Sequence, residues 1–168
     1  MVINVRGTHG SGKTTVIRRV LENYVLKPQI VPRRKRPFSY IGSADGLKSV
    51  FVPGHYETPT GGCDTINGPE MIYDAIRTGV AAGLEVLFEG IVAQHSTSRM
   101  IELTKETACV VVVLTTPLEA CIESVIERRH AAGNISEFNP RNVEKEWKSV
   151  ESSTKRMISE GVDVRRMD

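Results

Sequence analysis

The chain has 168 residues, the size of one domain with room for a core of its own. Hydrophobic residues at 40% and charged residues at 25% are ordinary for a globular protein, and a net charge of +2 excludes the global basic field of an architectural DNA binder. No apolar run nears the ~18 residues of a membrane span; no signal-peptide pattern is read at Met1-Val2-Ile3-Asn4-Val5, and Cys63, Cys109 and Cys121 read as free thiols, so a cytoplasmic protein is expected.

The elements alternate along the chain. Val2–Arg6 reads as a short apolar strand followed by a Gly-rich turn. From Thr14 a helical period places Val16, Ile17, Val20, Leu21, Tyr24 and Val25 on one face, with Lys27-Pro28 as the stop. Residues 38–41 and 50–52 form a candidate hairpin across the turn region 42–46. A second helix begins near Asn67 and Pro69, carries Ile72, Ile76 and Val80, and ends at Gly83. Glu85–Glu89 is the next strand, residues 96–106 a helix, and residues 108–114 the best buried-strand candidate.

Thr116-Pro117-Leu118-Glu119 reads as a helix start with Thr116 as the cap, and that helix runs to about Arg129. A Gly/Asn-bearing loop, 131–139, precedes a last helix lined by Val143, Trp147, Val150, Met157 and Ile158. Gly161 closes it, and residues 162–167 suit a final strand. The alternation implies one α/β domain, 1–168, with a parallel sheet and helices on both faces.

One motif carries the chemistry. Gly7-Thr8-His9-Gly10-Ser11-Gly12-Lys13-Thr14-Thr15 satisfies G-x-x-x-x-G-K-[ST] between an apolar strand and an amphipathic helix. Glycines let the backbone turn its N–H groups toward phosphate oxygens, and the helix N-terminus adds its positive end. The expected nucleotide contacts are His9, Gly10, Ser11, Gly12, Lys13, Thr14 and Thr15. Lys13 reaches the β- and γ-phosphates, and the Thr14 hydroxyl is offered to Mg²⁺, with ATP as donor. The motif and its setting resemble the P-loop kinase and NTPase superfamily.

A second acidic element is expected at the end of a strand, and Glu89 of Val86-Leu87-Phe88-Glu89-Gly90 supplies it. Many P-loop enzymes have Asp there; Glu89 is read as a magnesium ligand through water or as a group that orients the acceptor. Arg128 and Arg129, in Glu127-Arg128-Arg129-His130, resemble the arginines of a kinase lid, here residues 128–139, that neutralise the transferring phosphoryl group. Basic residues at a helix C-terminus also offset the macrodipole, which is the competing reading. No Asn-Lys-x-Asp guanine motif follows a late strand, and no transporter-ATPase signature is present, which leaves a compact kinase.

The acceptor side is expected between the first helix and Glu89. Gly54-His55-Tyr56-Glu57 and Thr60-Gly61-Gly62-Cys63-Asp64-Thr65 stand there. Asp64 is a candidate to take the proton of an attacking hydroxyl, or alternatively a turn residue near the Asn67 helix. His55 and Tyr56 are candidates to meet a base, and Cys63 reads as a packed side chain. The segment 54–66, through Gly-His-Tyr-Glu and Gly-Gly-Cys-Asp-Thr-Ile, resembles a family of bacteriophage P-loop kinases that phosphorylate 5-hydroxymethyluracil in DNA. That resemblance implies DNA containing a modified pyrimidine as the acceptor, flipped out if it lies in a duplex, in the host cell's cytoplasm.

With such an acceptor the cluster Arg33-Arg34-Lys35-Arg36 becomes a backbone contact instead of a solvated loop, and Arg77 and Arg99 are further candidates for acceptor phosphates. The rival readings are a kinase of free nucleosides or nucleotides, a small-molecule kinase, and a nucleotide-dependent switch ATPase.

Overall fold

The computed structural model of the chain describes residues 1–32, 35–58, 61–134 and 136–168. Its strands are Val2–Arg6 (β1), Val25–Gln29 (β2), Ser39–Ser43 (β3), Val50–Pro53 (β4), Glu85–Glu89 (β5), Cys109–Leu114 (β6) and Asp163–Met167 (β7). The helices are Lys13–Leu21 (α1), Gly68–Ala81 (α2), Ile91–His95 (α3), Thr97–Glu106 (α4), Leu118–Ala131 (α5) and Arg141–Ser159 (α6). One sheet runs in the order β2-β3-β4-β5-β1-β6-β7. Its five strands from β4 to β7 pair in parallel, whereas β2, β3 and β4 pair antiparallel. The fold is that expected of a P-loop kinase, with the correction that the sheet is mixed at one edge.

Strand alternation sorts the side chains of the sheet into two cores. Val2 on β1, Val86 and Phe88 on β5, and Val111 and Val113 on β6 face a cluster shared with Ile72, Ile76, Met100, Val150 and Met157 from α2, α4 and α6. Val5, Leu87 and Leu114 point the other way and pack on Ile17 and Leu21 of α1. By the same period of two, Glu89 at the end of β5 lies on the α1 face with Leu87. Arg6 at the end of β1 lies on the opposite face, where its Nε donates to Asn4 Oδ1 at 2.7 Å. Burial lowers the Arg6 guanidinium to about 10 and raises the neighbouring Tyr73 phenol to about 12.

Several boundaries depart from the sequence reading. The first helix stops at Leu21, not at Lys27-Pro28, because Asn23 Nδ2 donates to the carbonyls of Arg19 and Val20 and ends the ladder. The residues that seemed to continue it form β2, in which Val25 is 69% exposed. Pro28 is tolerated there because β2 is an edge strand and needs no donor on its open side. Thr116 does not cap α5; its hydroxyl donates to the carbonyl of Ser11 in the phosphate loop, at 3.0 Å. On α6, Ile158 is exposed and Trp147 partly so, while Glu146 and Thr154 share the buried stripe with Val143, Val150 and Met157. Gly83 and Gly161 follow their helices in the left-handed conformation, as expected.

Among the described residues no helix is long and apolar enough to cross a membrane.

Candidate active site

β1 lies between β5 and β6, so the chain order reverses around it, and a crevice opens beyond its carboxyl end. The loop from Gly7 to Gly12 fills the base of that crevice. Gly10 has φ 79, and a Cβ there would lie 2.2 Å from the carbonyl oxygen of Cys121, so both conformation and space require glycine. Gly12 has φ 91 with open space around it; only its backbone conformation demands glycine.

Lys13 opens α1 and folds back over the loop. Its Nζ donates to the carbonyls of Gly7 and Thr8 at 2.7 and 2.9 Å. Burial lowers its pKa, against the pull of Glu89, Glu146 and Asp64. The Thr14 hydroxyl donates to Glu89 Oε1 at 2.9 Å. Glu89 is 2% exposed, and burial pushes its carboxyl up to about 7, opposed by Lys13 and the Thr14 hydrogen bond.

The acceptor side is built by close backbone packing. A single 3-10 turn, Cys63–Thr65, presents Asp64 to the crevice. A Cβ on Gly62 would meet Glu89 Oε1 at 2.7 Å, and one on Gly90 would meet Cys63 Cβ at 2.9 Å. The glycines therefore bring the Asp64 turn against the Glu89 strand end. Asp64 Oδ1 accepts the amide of Val92 at 3.0 Å, which fixes the carboxylate over the start of α3.

These parts enclose one cleft of about 420 Å³. Its walls include every residue from His9 to Thr15, together with Asp64, Glu89 and Arg128. The residues expected to bind nucleotide or take part in catalysis all meet there except Arg129. The Arg129 guanidinium instead donates to Asn134 Oδ1 and Ser136 Oγ and lies 5.5 Å over the Phe138 ring. Arg128 and Arg129 are helical neighbours about 100° apart, so one faces the cleft and the other ties down the following loop. Ile135 of that loop lies outside the described residues. Arg128→Ala is expected to lower kcat for phosphoryl transfer about 10²-fold with a smaller change in nucleotide affinity. Arg129→Ala should change kcat less and loosen the loop, read as faster amide exchange over residues 130–139. Equal kinetic losses in both variants would remove the distinction.

The sequence reading missed several participants. Arg18 and Ser124 line the cleft; each stands four residues from an expected one, Thr14 and Arg128, so helical spacing was the available signal. Arg18 Nη2 also donates to the carbonyls of Tyr56 and Thr58, holding the acceptor-side segment to α1. Behind the phosphate loop, Gln94 Oε1 accepts the Gly7 amide at 3.0 Å and Gln94 Nε2 donates to Glu146 Oε1 at 3.1 Å. Glu146 Oε2 in turn accepts the His9 amide at 3.1 Å, with His9 Nε2 at 3.2 Å. Both Gln94 and Glu146 are buried. Gln94→Leu would strand the Gly7 amide and one Glu146 oxygen, at a cost of about 2–4 kcal/mol. A thermal melt close to that of wild type would show that this network does not support the loop.

Other expectations are corrected. Arg77 forms a two-pronged pair with Glu106, at 2.8 Å for each contact, and Arg99 pairs with Glu70, so neither is turned toward the cleft. His55 is buried and bridges Gly62, and the Tyr56 hydroxyl is buried, its pKa pushed well up. Neither ring is presented to a base in the cleft. Cys63 is fully buried, as expected of a packing residue.

The donors present suit magnesium. A hydroxyl on Thr14 and a carboxylate on Glu89 touch at the edge of a phosphate cradle, and Mg²⁺ commonly takes one or two protein oxygens plus substrate phosphates and water. Among the described residues no group of three or more His, Cys, Asp or Glu could hold a metal by itself.

No protein-family model matches the chain. Curated phage proteins do. The 5-hmdU DNA kinase of Pseudomonas phage PaMx11 is 42% identical over 170 residues, covering 99% of this chain and 90% of the relative. The chain belongs to the 5-hmdU DNA kinase family. Further 5-hmdU DNA kinases match from Delftia phage PhiW-14, 28% identical over 96% of this chain and 65% of that protein, and from Pseudomonas phage M6, 31% identical over 75% of this chain and 71% of that protein. Membership in the 5-hmdU DNA kinase family agrees with the resemblance read in segment 54–66.

Proposed function

We propose that this chain transfers the γ-phosphate of ATP to the hydroxymethyl oxygen of 5-hydroxymethyluracil in DNA. The observation that carries the proposal is one cleft with a phosphate cradle and Lys13 on one wall and the Asp64 and Glu89 carboxylates on another. The family relationship supports the acceptor. The hydroxyl oxygen forms a bond to the γ-phosphorus, the bond to the β–γ bridging oxygen breaks, and ADP leaves.

Asp64 stands at the exposed side of the cleft and takes the hydroxyl proton. Lys13 leaves the Gly7 and Thr8 carbonyls for the β- and γ-phosphate oxygens. Loop amides from Gly10 to Thr15 hold the phosphates, and Arg128 neutralises charge on the transferring group. Thr14 and Glu89 would hold magnesium, which would offset phosphate charge. Residues 128–139 act as the lid of a single domain, with Arg129 shaping its loop. The acceptor base enters unstacked, since a γ-phosphate deep in the cleft is out of reach of a base inside a duplex. The host cytoplasm is the expected setting.

The test is transfer of labelled γ-phosphate from ATP to three acceptors: an oligonucleotide containing 5-hydroxymethyluracil, the same oligonucleotide with thymine, and a panel of free nucleosides and nucleotides. Label in the first alone is the expected result. Label confined to the free acceptors, or ATP turnover with no labelled acceptor, would contradict it.

A further inference from the structure

The turn that carries Asp64 has a second side. There, a shallow basin of about 350 Å³ is lined by Lys35, Arg36, His55 and Thr65. The Thr65 hydroxyl accepts the His55 amide at 3.1 Å and donates to the Gly62 carbonyl at 2.7 Å, and His55 bridges Gly62. Gly61 and Asp64 from this same small knot of chain line the catalytic cleft. The same stretch of chain thus gives a carboxylate to the cleft and, through His55 and Thr65, part of the wall of a hollow whose charge comes from Lys35 and Arg36. Lys35 and Arg36 are exposed, and neither forms an ion pair with a described residue. Their charge is therefore available to an anion, in contrast to Arg77 and Arg99, whose charges are already met by glutamates.

We infer that this basin seats a backbone phosphate of the DNA strand that delivers the acceptor base, so that Lys35 and Arg36 position the strand while the cleft receives the base. The inference rests on the reading of the chain as a DNA-base kinase. A phosphodiester carries one negative charge and two unbridged acceptor oxygens, which suits a point charge from Lys35 beside a forked donor from Arg36. Its openness suits a polymer that runs past the site. A free nucleoside has no flanking phosphodiester and would leave the basin unused. Arg33 and Arg34, next in sequence, lie outside the described residues.

The experiment compares wild type with the double variant Lys35→Ala/Arg36→Ala and the reversal Lys35→Glu/Arg36→Glu. Affinity for an unmodified single-stranded oligonucleotide is measured by fluorescence anisotropy across a salt series, and kinetics with the 5-hydroxymethyluracil oligonucleotide are measured alongside. Losing the contact to one backbone phosphate should weaken binding about tenfold for either oligonucleotide and reduce the slope of log K against log salt by about 0.7. The KM for DNA should rise in step while kcat holds, and the reversal should bind more weakly still. Equal affinities and slopes in all three proteins would overturn the inference. If wild type fails to phosphorylate the modified DNA, the kinase reading falls, and the anisotropy series still decides whether the basin holds a backbone.

Discussion

Lys13→Ala lowers phosphoryl transfer about 10³-fold and leaves the protein folded. The fold survives because of what Nζ touches. In the free protein its partners are two buried backbone carbonyls, those of Gly7 and Thr8. Removing Nζ leaves each carbonyl one hydrogen bond short, so the expected cost is about 1–3 kcal/mol, less than the stability of a typical domain. Burial already disfavours the charged ammonium, which lowers the penalty for losing it. In the proposed reaction the same group meets charge that grows on the β–γ bridge as the bond breaks, and among the described residues no other lysine lines the cleft. The loss should therefore appear mainly in kcat. Single-turnover transfer beside a thermal melt checks both halves; a folded Lys13→Ala protein with near-native transfer would sink the mechanism.

Glu89→Gln is the second large effect, and it separates activity from stability. Transfer should fall by 10² to 10³-fold, because the amide keeps the Thr14 hydrogen bond but removes the charge proposed to hold the metal. Stability should move the other way in protein kept metal-free with a chelator. Burial raises the Glu89 carboxyl from 4.5 to about 7. The groups around it are Lys13 and Arg18, which favour the ionised form, the Thr14 hydroxyl, which also does, and Asp64, which opposes it.

Between these two values the folded protein binds more protons at Glu89 than the unfolded chain. Wild-type stability contributed by this group is therefore lost as pH rises from about 4.5 to about 7, and is flat above. Glu89→Gln lacks this dependence and should be the more stable protein at pH 8, by on the order of 2–3 kcal/mol. Urea titrations of both proteins from pH 5 to pH 8 give the answer. Parallel curves would mean that Glu89 is not the desolvated carboxylate described.

The parts of this site legible in sequence are those fixed by local backbone chemistry. The phosphate loop needs glycine at Gly10 and Gly12, a lysine after it and a strand before it, and all of these are adjacent in the chain. Glu89 was legible because an acidic residue ending an apolar strand is unusual. The strand β2 was not, because an edge strand with four exposed positions of five shows no alternation, and Tyr24 and Val25 happened to continue the period of α1. The support behind the loop was also hidden. Gln94 and Glu146 are joined by a hydrogen bond across 52 residues, and a buried glutamate on an amphipathic helix reads in sequence as one more surface charge. Arg128 and Arg129 looked equivalent until the helix carried through both and turned them apart.

In the proposed reaction the phosphate arrives on a base within DNA. The most direct measurement is mass spectrometry of the nucleosides released by nuclease digestion of the product DNA, after reaction with ATP and magnesium. The expected product is 5-hydroxymethyldeoxyuridine carrying one added phosphate on its hydroxymethyl oxygen, absent when Lys13→Ala replaces wild type. Phosphate found only at the 5′ end of the strand, or ATP consumed with unmodified nucleosides recovered, would contradict it.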